Sequence, residues 1–424
     1  MAQQPKRGMT VRWKVLHDLP GSSPTSRDVL ARARLSFAIS AMDLTEKPGD
    51  DNRDCNGGRR RRQPIAVAPS VRVVIPYEAI TSQLAIEAAP DHHRCFKLDW
   101  NECTLGPSPR VREAIEKWLG SGGRMNWYPP LGSSQLVEAL AGYTGLQTDH
   151  LLVTNGSDAA LRLICSTYLD RGDRVVVPVP TYQHFLVFAH SRGARVDTVS
   201  GTSPFELDCS AIEEAMTRDT RLLYLVSPNN PTGVIYPPEE VKSLCLRYPR
   251  SLIVLDEAYF EFARITGISL VRELPNLVVT RTFSKAFGLA GLRVGYLAAS
   301  PALVEGLSRL YNPKSVNVVA QIAAMAALED LDHLVSYLAE VELAKELLLE
   351  FFDASTRVRV HMTPANFVLL RVDDLATVLR KLEKRGVYVR DRSGHAGLEG
   401  CLRMTVGTRQ QTRQLLERVD DVFR

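Results

Sequence analysis

The chain has 424 residues, 45% of them hydrophobic and 24% charged, with a formal net charge of +4, the composition of a globular protein of two to three domains. No stretch approaches the roughly eighteen consecutive apolar residues of a membrane-spanning helix, so no membrane partner is expected. Residues 1–70 carry 13 Lys and Arg against 7 Asp and Glu, and the remainder 39 against 41; the basic excess lies outside the main body, which argues against a nucleic-acid-binding core.

Residues 1–70 read as an N-terminal extension, largely disordered. SRDVLARARLSFAISAM (26–42) has the spacing of one short amphipathic helix capped by Ser26. EKPGDDNRDCNGGRRRRQPIAVAPS (46–70) is rich in Gly, Pro and Arg and lacks periodicity, as a linker does. Its Arg59–Arg62 run reads as solvated linker charge. The Arg and Ser content would suit an organelle presequence, but Asp18, Asp28 and Asp43 count against one. The seven cysteines, Cys55, Cys95, Cys103, Cys165, Cys209, Cys245 and Cys401, are odd in number and form no CxxC pair. Neither a disulfide framework nor a metal site is expected, and a reducing, cytoplasmic compartment fits.

From about residue 71 the pattern becomes regular. LLVT (151–154), RVVVPV (174–179), LLYLVS (222–227), SLIVLD (251–256) and LVVT (277–280) are apolar runs that read as strands. Helical stretches such as SDAALRLICSTYL (157–169) and PEEVKSLCLRY (238–248) lie between them. Near-continuous Val/Ile/Leu runs alternating with helices predict an α/β fold with a mostly parallel sheet covered on both faces. After residue 312 long helices follow, over 316–330 and 331–353, and then strands alternate with helices to the end. The expected division is an N-terminal arm and part of a small domain over 71–119, a large domain over 120–311 and a small α+β domain over 312–424.

In an open parallel sheet ligands bind at the carboxyl ends of strands, and several polar motifs fall there. LLVT runs into NGSD (155–158), a turn opening a helix, whose backbone N–H groups suit a phosphate. LLYLVS runs into SPNNPTG (227–233), which can present an amide side chain. SLIVLD ends on Asp256, a carboxylate at the tip of a buried strand, where a cationic partner or a donor is needed. LVVT leads to RTFSKAFGLAGLRVGY (281–296), with Ser284, Lys285 and, eight residues beyond the lysine, Arg293. A lysine among small apolar residues is either paired or used as a reactive amine.

The ordered set NGSD, PTYQHF, SPNNPTG, DEAYFEF, SKAFGLAGLRVGY and CLRMTVGTR resembles the fold-type I pyridoxal-phosphate aminotransferases of class I/II, and most of all their histidinol-phosphate aminotransferase branch. The resemblance runs from about residue 71 to the C-terminus. It implies a large domain with a seven-stranded, mostly parallel sheet flanked by helices, a smaller α+β domain, and pyridoxal 5′-phosphate as cofactor. By the same resemblance Lys285 forms the Schiff base with the cofactor aldehyde and shuttles a proton. Asp256 pairs with the pyridinium nitrogen, Asn230 and Tyr259 hydrogen-bond the ring oxygen, and Tyr182 stacks on the ring. Ser284, Arg293 and the N–H groups of Gly156 and Ser157 take the phosphate. Tyr128 matches a tyrosine that reaches the phosphate from a second subunit, which implies a homodimer with shared active sites. Arg403 matches the arginine on the substrate carboxylate, and Arg390 one on a substrate phosphate. His184, beside Tyr182, reads as a pocket-lining or structural residue.

DWNECTLGPSP (99–109) resembles the segment that closes over substrate, with Asn101 as a substrate contact; Cys103 and Thr104 stand where Asn and Pro are common. The implied reaction moves an amino group, with glutamate as donor, to a small keto acceptor, imidazole acetol phosphate or another phosphorylated ketone. A decarboxylase of a phosphorylated amino acid would share this scaffold and its lysine, aspartate and arginine. A cofactor-sensing regulator would need a folded DNA-binding domain ahead of the core, where residues 1–70 offer one convincing helix.

Overall fold

The computed structural model describes residues 65–72, 74, 86, 95–353 and 355–423. The helix expected over 26–42, the Arg59–Arg62 run and most of the expected linker lie outside the described residues. Residues Ala66–Arg424 form one compact unit. Its strands are β1 (Phe96–Lys97), β2 (Leu151–Thr154), β3 (Arg174–Val179), β4 (Arg195–Ser200), β5 (Thr220–Val226), β6 (Leu252–Asp256), β7 (Leu277–Thr282), β8 (Gly295–Ala299), β9 (Val358–Met362), β10 (Phe367–Val372), β11 (Val387–Tyr388), β12 (Arg390–Asp391) and β13 (Cys401–Thr405).

A seven-stranded sheet has the order β2-β8-β7-β6-β5-β3-β4. β4, β3, β5, β6 and β7 run parallel. β8 runs against both of its neighbours, β7 and β2. The expected mostly parallel α/β architecture is therefore present, with β8 as its one reversed strand.

Side-chain alternation explains why this sheet is covered twice. Leu223, Leu225, Ile253, Leu255, Leu277 and Val279 join one buried cluster. Their neighbours Leu222, Tyr224, Leu252, Val254 and Val278 join a second. A strand with apolar residues at every position has no face to offer water, so helices pack on both sides. The helix Gly156–Tyr168 contributes Ala160, Leu161 and Ile164 to the second cluster, and the helices Ser134–Thr144 and Pro238–Arg247 serve the first. Each fully buried Leu or Val contributes about 1.5–3 kcal/mol.

A second sheet, β12-β13-β10-β9, is antiparallel throughout. Val358, Val368, Leu370, Val372, Leu402 and Met404 fill one of its faces and join the same core as Tyr337, Leu338 and Leu348 of the helix Leu331–Asp353. The opposite face mixes Phe367 and Leu369 with Arg371, Arg403 and Thr405. A short parallel pair, β1 with β11, fastens the residues before Asp99 to this C-terminal part. The boundary expected near residue 312 falls in the connection between the helices Pro301–Ser308 and Val318–Leu328.

One ion pair lies inside the core. Arg281 on β7 is 2% exposed and donates through Nε to Glu257 Oε2 at 2.9 Å and through Nη2 to Thr266 Oγ1 at 2.6 Å. Its guanidinium also lies over Phe260, 3.5 Å from the ring centroid. Glu257 is 1% exposed and fixes the next turn by accepting from Gly267 N at 2.7 Å. Removing one member of such a pair leaves a buried charge uncompensated. Glu257→Ala is expected to destabilise the fold by about 3–5 kcal/mol, read as a lowered urea midpoint, with Glu257→Ala/Arg281→Met recovering most of the loss. An unchanged midpoint in the single variant would mean that Glu261, whose charge also acts on Arg281, suffices as its partner.

Candidate active site

Because β2, β3, β5, β6 and β7 point the same way, the residues that follow each of them share one edge of the sheet. β8 begins at that edge: Gly295 is paired with both Thr154 and Thr282. Five separate segments and the approach to Arg293 are thus brought together by strand direction alone.

Asp256 closes β6 and is 3% exposed. Tyr224 OH donates to its Oδ2 at 2.9 Å and Thr280 Oγ1 to its Oδ1 at 3.0 Å. Burial pushes its carboxyl up to about 6, against the pull of these donors. Tyr224 is backed by Phe185, stacked at 3.8 Å, so the carboxylate is held from behind by two neutral hydroxyls.

Lys285 Nζ donates to the Trp100 carbonyl at 2.8 Å and lies 5.7 Å from the centre of the Tyr259 ring. Tyr259 is buried, and its hydroxyl accepts from Asn101 Nδ2 at 2.9 Å. Asn101 is fully buried, with φ 54° and its backbone N–H on Thr405 Oγ1 at 3.1 Å. Asparagine tolerates this left-handed conformation better than most residues. The structure thus seats Asn101 behind Tyr259, where it orients the phenol.

The helix Gly156–Tyr168 starts without a side-chain cap, so its first N–H groups face the edge. Arg293 spans the start of this helix: Nη2 donates to Asp158 Oδ2 at 3.1 Å, and Nη1 lies 3.4 Å from Ser284 Oγ. Ser284 Oγ in turn accepts from Thr282 Oγ1 at 2.9 Å. Gly156 has φ +74°, a left-handed conformation that favours glycine, and a Cβ there would lie 2.7 Å from Arg293 Nη2 and push the guanidinium aside. Helix N–H groups, a hydroxyl and a guanidinium on one small area form an anion cradle.

Arg403 on β13 is 3% exposed. Its Nη1 donates to Asn230 Oδ1 at 2.6 Å and its Nη2 to the Asp99 carbonyl. With the carbonyl end of Asn230 taken by Arg403, its amide N–H groups are the end it can offer a ligand. Arg390 on β12 stands directly opposite Arg403 in the antiparallel register, so both side chains rise from the same face of the second sheet. Tyr182 OH donates to Asp158 Oδ1 at 2.7 Å. Asp158 was legible as part of NGSD, but only the backbone of that motif pointed to a ligand. Tyr128 is 80% exposed and has Lys314 Nζ 4.7 Å from its ring centre; its contacts within this chain do not include the cradle. His184 stacks on Phe188 at 4.8 Å, a packing role.

Together these residues can hold a flat ligand with a cationic nitrogen against Asp256 and an anionic group at the helix start, with an amine beside it and two arginines beyond. The family model for aminotransferase class I and II matches residues 93–419. The chain belongs to the class I and II aminotransferases. Among curated relatives, the dihydroxyacetone phosphate transaminase of Campylobacter jejuni is 38% identical over 333 residues, covering 77% of this chain and 89% of that protein. The histidinol-phosphate aminotransferase of Symbiobacterium thermophilum is 37% identical, over 83% of this chain and 97% of its own length. Among solved structures, histidinol-phosphate aminotransferase from Sinorhizobium meliloti, in complex with pyridoxal-5′-phosphate, superposes with a TM-score of 0.76 at 26% identity, covering 84% of this chain and 97% of that one.

The raised Asp256 carboxyl gives this aminotransferase a pH signature without ligand. A carboxyl whose folded-state pKa lies above its unfolded value adds stability when protonated, and that stability is lost as pH rises through about 6. Asp256→Asn is therefore expected to make the ligand-free protein more stable than the parent, by up to about 3 kcal/mol at pH 8 and less at pH 5. Urea denaturation at the two pH values measures the gap; a gap that does not grow with pH would show that Asp256 is ionised across this range.

Proposed function

We propose that this aminotransferase uses pyridoxal phosphate to move an amino group from glutamate to a small phosphorylated ketone. The observation that carries the reading is Arg390 directly across from Arg403. Two guanidinium groups on one face of a sheet offer paired positive charge to a substrate that carries anionic groups. The named relatives act on histidinol phosphate and dihydroxyacetone phosphate; the ketones of both reactions carry a carbonyl one CH2 from a phosphate ester. Glutamate, with two carboxylates, presents two anions to the same pair of arginines in the other half of the cycle.

The residues fit the cofactor. The buried carboxylate of Asp256 suits a protonated pyridine nitrogen, and the cradle of Gly156, Ser157, Ser284 and Arg293 suits a phosphate. Bound there, pyridoxal phosphate supplies the aldehyde that takes up the amino group and a ring that withdraws electrons from Cα. Lys285 is the amine that anchors the aldehyde carbon and then takes and returns the Cα proton. Asp256 holds positive charge on the ring nitrogen. Tyr259, oriented by Asn101, and the amide of Asn230 address the ring oxygen, and Tyr182 packs on the ring face. Arg403 grips a carboxylate through its fork, and Arg390 the distal anion.

In this reading residues 120–311 are the cofactor-binding domain, and 312–424 with 71–119 form the smaller domain that brings the arginines. Exposure of Met125, Trp127, Tyr128 and Leu131 supports a homodimer in which Tyr128 completes the neighbouring cradle. No helix of the described residues is long and apolar enough to cross a membrane; the described cysteines are free thiols, which supports a reducing, cytoplasmic compartment.

With glutamate as donor, a phosphorylated ketone is expected to exceed its dephosphorylated counterpart in kcat/KM by about a hundredfold or more, the worth of a charge-assisted bidentate contact. Arg390→Leu should raise KM for the phosphorylated acceptor more than it changes kcat. Equal rates on both ketones would overturn the phosphorylated-acceptor reading. Lys285→Ala should abolish turnover and the visible absorption of bound cofactor; retention of both would overturn the assignment of the amine.

A further inference from the structure

Asp158 lies in the first turn of the helix Gly156–Tyr168, two residues past the glycine that Arg293 approaches. Its two oxygens serve different partners. Oδ1 accepts from Tyr182 OH at 2.7 Å, and Oδ2 accepts from Arg293 Nη2 at 3.1 Å. The three residues come from the ends of β2 and β3 and the approach to β8, so this one carboxylate ties together three segments of the edge.

The bridge divides the arginine fork. One arm is held by Asp158, and the other points to Ser284 Oγ at 3.4 Å. A phosphate resting on the helix N–H groups and Ser284 meets the arm that Asp158 does not hold. The same carboxylate fixes the Tyr182 hydroxyl, and with it the plane of the ring. We propose that Asp158 is a positioning residue that locks the phosphate-gripping arginine and the ring-stacking tyrosine into one preformed unit for the cofactor. This rests on the reading that Arg293 and Ser284 take the phosphate and that Tyr182 packs on the ring.

The proposal has a definite sign. A carboxylate near a phosphate also repels it, so its removal would tighten cofactor binding if charge alone mattered. The side chains of Arg293 and Asp158 are 45% and 34% exposed, so water screens both the pair and the repulsion. The 2.7 Å bond to Tyr182 is directional and charge-assisted. Positioning therefore outweighs repulsion, and losing the carboxylate weakens binding.

The experiment measures the dissociation constant of pyridoxal phosphate from the ligand-free enzyme, by equilibrium dialysis, for Asp158→Asn, Asp158→Ala, Tyr182→Phe, Asp158→Asn/Tyr182→Phe and Arg293→Gln. Asp158→Asn is expected to weaken binding by about tenfold and Asp158→Ala by about tenfold to a hundredfold, the range for lost charged hydrogen bonds. The double variant should lose less than the product of its two singles, because both break one bridge. The pH midpoint of the bound cofactor's visible absorption should also move in Asp158→Asn, which a purely structural role would leave in place. If Asp158→Ala does not fold, Asp158→Asn, whose amide nearly matches the carboxylate in shape, decides alone. Binding as tight as the parent's or tighter in the Asp158 variants, with Arg293→Gln weakened, overturns the positioning role only. Unchanged binding in Arg293→Gln overturns the phosphate reading itself.

Discussion

Strands β5, β6 and β7 bury side chains on both faces, so the chain reaches polar surroundings only where these strands end. That constraint places the site. A parallel arrangement sends every carboxyl end to one edge, and the residues that cannot be apolar collect there: Asp256, Asn230, Ser284 and Lys285. β8 returns against the others, which is why Arg293, ahead of its first residue, arrives at the same edge as Gly156. The close approach of β8 leaves no room for a side chain at its start; a Cβ on Gly295 would lie 2.8 Å from Ser157 N.

Alternation along β7 separates two kinds of electrostatics within three residues. Thr280 and Thr282 face the site, one hydroxyl on Asp256 and the other on Ser284. Arg281 between them points to the opposite side and pairs with Glu257. Glu257 directly follows Asp256 in sequence, and its side chain too turns away from the edge. Two adjacent carboxylates thus meet opposite environments: Glu257 has a guanidinium and a backbone N–H, and Asp256 has two neutral hydroxyls. The first is satisfied by the fold, while the second stays poised for a cationic ligand.

Much of this was readable in the sequence, and the limits have physical causes. LLVT and RVVVPV match β2 and β3 residue for residue, and the other three runs match β5, β6 and β7 within two residues at each end. Such runs have no other way to be buried. β4 and β8 escaped notice for different reasons. β4, RVDTVS, is half exposed and mixes charged with apolar residues. β8, GYLAA, has small residues and continues directly from the lysine motif. Its reversed direction is a matter of pairing, which no local pattern encodes. The polar residues of the site were legible because each follows an apolar run. Their partners were not, since Asp158 meets Tyr182 and Arg293 only after strands 24 and 135 residues distant come together. Asn101 carried a family resemblance but no sign that it would sit behind Tyr259.

The second sheet shows how one register can support two substrates. Its inner face is apolar and fixed by the helices, so β12 and β13 cannot slip without turning Leu402 and Met404 out of the core. That locks Arg390 opposite Arg403, a juxtaposition the isolated sheet would disfavour. Arg403 is further restrained by Asn230 and the Asp99 carbonyl, which join it to the end of β5 and to the segment after β1. In the proposed cycle the donor and the acceptor differ in shape but share a pair of anionic ends. Two guanidinium groups, always charged, can accept each in turn.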